Sequence, residues 1–335
     1  MLQLSHLSLT GTVLVADDHA PNREFLEELL VAEGLKVISV PDGAVAVTEL
    51  GRTQVDLALL DVMMPHLNGF EVCEKIKSNP ETYLLPVILI TALSGKQDRI
   101  DGIKVGADDF LTRPVDPIEL LARVRSLLKV KLHTDELERA ESVLFSLARS
   151  IEAKDPYTHG HCERMAECSI KLGKRLGLPE EQLLALRRAG VVHDIGKVAV
   201  PDAILLKPGR LTEDEWKIIR EHPVVGERIC KPLKSFRLVL PIIRHHHEKL
   251  DGSGYPDGLR GDAIPITAKI MQMVDVFDAL ATERPYKKAL SIADSLETMR
   301  QEVAKGWWDP QVFEHFEQMV RNDANYIGLG AAASH

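Results

Sequence analysis

The sequence predicts a two-domain chain: an α/β doubly wound domain with five parallel strands, then an all-α helical bundle, the two joined by a long helix. Three observations predict this. The 335 residues exceed what one hydrophobic core usually serves. Short apolar runs alternate with helical patterns in the first 130 residues, whereas from residue 140 onward the apolar spacing is helical. Between these regions, Pro117 to about Ala153 carries no glycine, and its only proline stands where a helix tolerates one. The expected boundaries are 1–130 for the first domain, 117–153 for the connector, 140–325 for the second domain and 326–335 for a tail.

The strands of the first domain are expected in TVLVADD, KVISV, VDLALLDV, PVILITA and DFLTRP, with helical patterns between them. Such alternation implies a parallel sheet covered on both faces, with function at the carboxyl ends of its strands. Asp17 and Asp18 close the first strand, Asp61 the third, Thr91 the fourth, and Arg113-Pro114 the fifth. Carboxylates converging on one edge repel unless a cation sits between them, and an oxygen-only set suits Mg²⁺.

This half resembles the receiver domain of two-component response regulators. The resemblance implies that Asp61 accepts a phosphoryl group from a cognate histidine kinase and that Asp17, Asp18 and Asp61 hold Mg²⁺. It also implies that Thr91 contacts the phosphoryl group and shifts with Phe110. Where the family carries lysine before the proline, this chain has Arg113, whose planar fork is not equivalent to a point-charge ammonium.

Heptad spacing runs along the connector. Val130, Leu137, Leu144 and Ile151 form an apolar series, and Leu120, Leu127, Thr134, Glu141 and Ala148 form a mixed companion. The pattern suits a parallel coiled coil in a homodimer, and equally a single amphipathic helix packed on its own domain.

In the second half, seven of the chain's thirteen histidines lie between 159 and 247, interleaved with aspartates. His161, His193-Asp194, His222, His246-His247 and Asp275 offer imidazoles and carboxylates to borderline divalent metals such as Fe, Mn, Ni or Zn. The absence of cysteine ligands argues against structural zinc. Lone histidines such as His133 and His315 read as surface or core residues.

HDIGK, HP-x-x-G, HHE-x-x-D-G-x-G-Y-P and D-x-F-D-A-L-x-x-x-R-P-Y occur in order. On these motifs the region resembles the HD-GYP branch of the HD phosphohydrolases. The resemblance implies a metal quartet of His161, His193, Asp194 and Asp275, with Asp194 bridging to a second metal on His222, His246 and His247. His245 is read as a neighbour, not a ligand. Some family members hold a third metal through a carboxylate one turn before the first histidine. Tyr157 stands there, which favours two metals, with Asp155 and His159 as complications.

Lys197, expected on the helix face of His193, can reach a phosphate oxygen. Arg284 and Lys287 are further substrate-binding candidates, Tyr255 can stack on or hydrogen-bond a guanine, and Asp278 can orient groups at the site. The resemblance implies hydrolysis of cyclic di-GMP to pGpG, often onward to GMP, with Asp194 and Lys197 central. The alternatives are a weakly catalytic sensor of cyclic dinucleotides or pGpG, an adaptor docking on diguanylate cyclases, and a hydrolase of cyclic GMP-AMP.

A net charge of −9 argues against broad attraction to nucleic acid or anionic membrane. Four cysteines without CxxC spacing suggest reduced thiols. The start MLQLSHLSLTGTVLVADD has no signal-peptide pattern, and no run is long enough for a membrane span, so the expected location is the cytoplasm.

Overall fold

The computed structural model describes residues 10–91, 96–154, 160–283 and 288–322. The chain divides into two compact units, Met1–Ala140 and Glu141–His335. No helix of the described residues is long and apolar enough to cross a membrane.

The first unit bears out the predicted class. Strands β1 (Thr12–Ala16), β2 (Lys36–Val40), β3 (Leu57–Asp61), β4 (Val87–Thr91) and β5 (Asp109–Thr112) form one sheet in the order β2-β1-β3-β4-β5. Every pairing is parallel. β3 (LALLD) and β4 (VILIT) are buried on both faces, as near-continuous apolar strands should be when helices cover the sheet. Alternation divides the core: Leu14, Leu60 and Leu89 face Val72 and Ile76, while Val15, Leu59 and Ile88 face Leu26, Leu30 and Val124.

Helices α1 (Ala20–Ala32), α2 (Gly43–Leu50), α3 (Gly69–Ser78) and α4 (Lys96–Lys104) cover the sheet. Asp42 accepts the Ala44 and Val45 N–H groups to start α2, and Asn68 with Glu71 forms a capping box on α3. A Cβ on Gly69 would lie 2.4 Å from the Asp61 carbonyl oxygen, so only glycine lets α3 begin against the end of β3. The chain crosses to opposite sides of β1 to form β2 and β3. The carboxyl ends of β1 and β3, which carry Asp17 and Asp61, therefore meet at the topological switch point.

Helix α5 runs unbroken from Pro117 to Glu152. Leu120 and Val124 are buried in the first unit, and Leu144 and Ala148 in the second, while Val130 and Leu137 are exposed. The two ends thus follow the amphipathic-helix alternative, and the middle leaves part of the apolar series uncovered.

The second unit is helical, with α6 (His161–Arg175), α7 (Glu180–Val192), α8 (Asp202–Leu205), α9 (Glu213–Arg220), α10 (His222–Cys230), α11 (Leu240–His245), α12 (Ile266–Ala281), α13 (Ile292–Ala304) and α14 (Pro310–Asn322). Its core gathers Met165, Leu172, Leu186, Phe236, Ile243, Met271, Phe277 and Phe316. The α6–α7 hairpin packs tightly because Gly190 has no side chain: a Cβ there would lie 2.5 Å from the Cα of Ala166. Such a hairpin brings the start of α6, His161, beside the end of α7, where His193 is the C-cap.

Candidate functional site

After His193 the backbone leaves the α-helix. Asp194 has φ −97° and ψ 5°, and Ile195–Ala199 forms a 3-10 turn. This corrects the expectation that His193 and Lys197 share a helix face: Lys197 is instead paired with Asp194. Gly196 explains the HDIGK and HP-x-x-G spacings. A Cβ on it would lie 1.9 Å from the His222 carbonyl oxygen and 2.7 Å from the Gly226 nitrogen, so glycine allows the turn to lie against α10. That contact delivers His222 to Asp194.

Asp194 lies at the centre of the cluster. Its Oδ1 is 3.1 Å from His222 Nε2 and 3.8 Å from His246 Nε2, and its Oδ2 is 3.6 Å from His193 Nε2. Asp194, His222, His246 and His247 form one group with ligand atoms within 4.8 Å of one another, and His161, His193 and Asp194 form a second. Asp194 belongs to both. Asp275 Oδ1 lies 3.8 Å from His161 Nε2.

The hydrogen bonds behind the rings fix their tautomers. A carbonyl can only accept, so the Nδ1 atoms of His193, His222 and His246 donate to the carbonyls of Gly190 (3.3 Å), Ile219 (2.8 Å) and Ile243 (2.7 Å). In the neutral form of each ring, Nε2 then carries a lone pair directed toward Asp194. His222 and His246 oppose each other Nε2 to Nε2 at 3.3 Å, and buried His193 Nε2 and Asp194 Oδ1 have no hydrogen-bond partner. Buried acceptors facing acceptors are costly without a cation between them, and the donor set suits a borderline divalent metal. The residues fit metal ions.

Burial holds His193 neutral, with its pKa lowered to about 4. His222 is also lowered by burial, and His247 well below its ordinary value by burial and the neighbouring His246 and His222. For Asp194, burial opposes ionisation, but the Lys197 charge holds the carboxyl well below the usual range. His161 differs: burial works against its charge, yet the Asp278 hydrogen bond and the charges of Asp275, Asp278 and Asp194 raise its pKa.

Asp278 is buried. It accepts from His161 Nδ1 at 2.7 Å and from Arg164 Nε at 2.7 Å, and these partners outweigh burial to hold its pKa at about 2. Its geometry suits orientation of His161. His245 turns to Asp257, with 3.0 Å between Nε2 and Oδ2. Tyr255 is stacked on His247 with ring centroids 4.8 Å apart. Arg284, Lys287, Asp155, Tyr157 and His159 lie outside the described residues, as does the tail.

Sequence reasoning missed four contributors. Glu248 is fully buried and accepts the N–H groups of Asp257, Gly258 and Leu259, clamping the GYP loop. Its place in HHE was the available signal. Arg164, one turn after His161, braces Asp278, and Glu152 at the end of α5 accepts the His161 N–H at 2.7 Å. Arg220 lies over the Tyr255 ring.

In the first unit, Asp17 and Asp61 are buried at the sheet edge, while Asp18 is exposed. The Arg113 guanidinium bridges Asp17 and Asp61, the latter at 2.7 Å. Burial raises the Asp61 pKa despite the Arg113 contacts. Thr91 is buried on β4, and the Phe110 ring packs against Gly102 of α4, where a Cβ would lie 2.0 Å from its Cζ.

Fold and site together define a class: a hydrolase of the HD type joined to a receiver. A family model described as an HD domain matches residues 146–312, and one described as a response regulator receiver domain matches residues 13–125. Over 307 residues the chain is 36% identical to the cyclic di-GMP phosphodiesterase response regulator RpfG of Xanthomonas campestris, spanning 85% of this chain and 81% of that protein. It is 33% identical to a cyclic di-GMP phosphodiesterase of Thermotoga maritima, spanning 92% of this chain and 90% of the relative. It is 39% identical over 173 residues to 3′3′-cGAMP-specific phosphodiesterase 3 of Vibrio cholerae, spanning 52% of this chain and 37% of that one. The chain belongs to the family of response regulators that join a receiver domain to an HD domain.

Proposed function

We propose that the chain is a phosphorylation-regulated, metal-dependent phosphodiesterase of the HD-GYP branch that opens cyclic di-GMP to pGpG and continues to GMP. The observation that carries this reading is the convergence of His222 and His246 lone pairs on Asp194. His161, His193, Asp194 and Asp275 hold one ion, and Asp194, His222, His246 and His247 hold another, with Fe or Mn ahead of Zn and Ni. When bound, the two ions supply Lewis acidity for in-line hydrolysis of a phosphodiester.

The chain's own residues complete the chemistry. Asp278 fixes the tautomer of His161, and the carbonyls behind His193, His222 and His246 fix theirs. Lys197, beside Asp194, supplies a positive donor at the substrate phosphate. A histidine kinase phosphorylates Asp61 with Mg²⁺ at Asp17, Asp18 and Asp61. A homodimer forms along α5 and transmits the change, and diguanylate cyclases are candidate docking partners. A cyclic GMP-AMP substrate is the second reading, favoured by the likeness to the Vibrio cholerae cGAMP-specific enzyme.

The test is anaerobic incubation of protein reconstituted with Fe²⁺ or Mn²⁺ with each cyclic dinucleotide, resolving products chromatographically. Formation of pGpG or GMP from cyclic di-GMP by the intact protein alone, and not by Asp194→Ala, is the expected result. Turnover confined to cyclic GMP-AMP moves the assignment to the second substrate. Absence of turnover with metal bound refutes the enzyme reading.

A further inference from the structure

A row of planar groups leads outward from the histidine cluster. His247 stacks on Tyr255 with 29° between their planes. The Arg220 guanidinium lies 5.7 Å from the Tyr255 ring centroid and 5.8 Å from that of Trp216, whose side chain is 40% exposed. Arg220 is the last residue of α9, two positions before His222, and is itself exposed. It forms no ion pair with any described residue. Tyr255 is therefore covered by His247 and Arg220, and the exposed groups beyond it are a cationic fork and an indole.

We propose that Arg220 is a specificity-determining residue that reads guanine in the bound nucleotide. Two aromatic rings restrain the guanidinium and reduce the entropy lost when it forms a bidentate contact. The base that complements a planar pair of donors is guanine, whose O6 and N7 are adjacent acceptors. Adenine places an N6 donor beside N7 and opposes one arm of the fork. The exposed Trp216 ring offers the base a stacking surface. This assignment rests on the proposed nucleotide site and deepens it by naming what distinguishes guanine from adenine there.

The experiment uses calorimetric titration of metal-free, full-length protein with pGpG and with pApA, comparing the wild type with Arg220→Ala and Arg220→Lys. The wild type is expected to prefer pGpG by about tenfold, the range of one bidentate base contact. Both variants should lose that preference through weaker pGpG binding, with pApA affinity held within about twofold, because lysine keeps the charge but not the fork. Equal weakening for both ligands would identify a phosphate contact and overturn the proposal. An unchanged preference, or no binding of either ligand by the wild type, also overturns it. Cyclic di-GMP turnover by the metal-loaded wild type is measured separately. Its absence alongside a guanine preference that depends on Arg220 refutes the hydrolase reading without touching this one.

Discussion

The two units each gather acidic groups at a partly buried centre, but they balance the charge in opposite ways. In the sheet unit, Arg113 reaches across from β5 and bridges Asp17 and Asp61, so an internal cation already occupies the acidic edge. In the helical unit, His193 Nε2 and Asp194 Oδ1 are buried without a hydrogen-bond partner, and neighbouring imidazoles present lone pairs to the same carboxylate. In the first site one cation spans both carboxylates, whereas in the second Lys197 pairs only with Asp194 Oδ2 and leaves Oδ1 and the imidazole lone pairs to an external cation. The contrast teaches that an acidic cluster alone says little about metal demand; the protonation pattern of its neighbours says much more.

The most severe way to break the contrast is to neutralise the shared carboxylate. Asp194→Asn keeps the side-chain shape but removes the charge common to both ligand groups. Metal content measured by plasma mass spectrometry should fall, and hydrolysis should drop below detection. Retention of full metal content would place the ions elsewhere. A smaller loss is expected from Asp278→Asn, which leaves the cluster intact but weakens the brace behind His161. Metal affinity should fall by about 10–100-fold, the usual cost of losing a carboxylate behind a ligating histidine.

Acid titration tests the same distinction without a mutation. In metal-free protein, burial lowers the His193 pKa from 6.5 to about 4. The unfolded chain binds this proton first as pH falls, so stability is present above about 6.5 and is lost as pH falls toward 4. The expected loss is on the order of a few kcal/mol, read as a falling midpoint of thermal unfolding. His193→Asn should flatten that dependence; an unchanged slope would show that His193 does not carry it.

Much of this was legible in the sequence, for reasons that differ between the units. Apolar runs such as LALLD and VILIT announced buried parallel strands, while the glycines of HDIGK and HP-x-x-G revealed their close backbone contact only in the fold. The 3-10 turn after His193 was not legible, because i,i+4 spacing assumes a helix that Asp194 ends. Glu248 stood within a recognised motif but revealed its three N–H partners only once the GYP loop folded back. The fates of Val130 and Leu144 diverged as well. Heptad spacing treats them alike, but one is exposed and the other buried.

The finest test concerns the arginine that sets the first site apart. Arg113 extends a planar fork between Asp17 and Asp61, and a divalent ion entering the acidic edge must displace that contact or share its oxygens. Lysine would keep one positive charge but lose the bidentate fork, making the carboxylates easier to release. Arg113→Lys should therefore raise Mg²⁺ affinity by about two- to fivefold, the scale of a partly exposed ion pair, as measured by calorimetric titration of the full-length protein. Metal affinity at the histidine cluster should stay unchanged in the same variant, because Arg113 and those ligands belong to different units. A fall in Mg²⁺ affinity would mean that the guanidinium organises the carboxylates for the ion. The first site would then resemble the second in being arranged around an external cation, and the contrast between the units would fail at its smaller end.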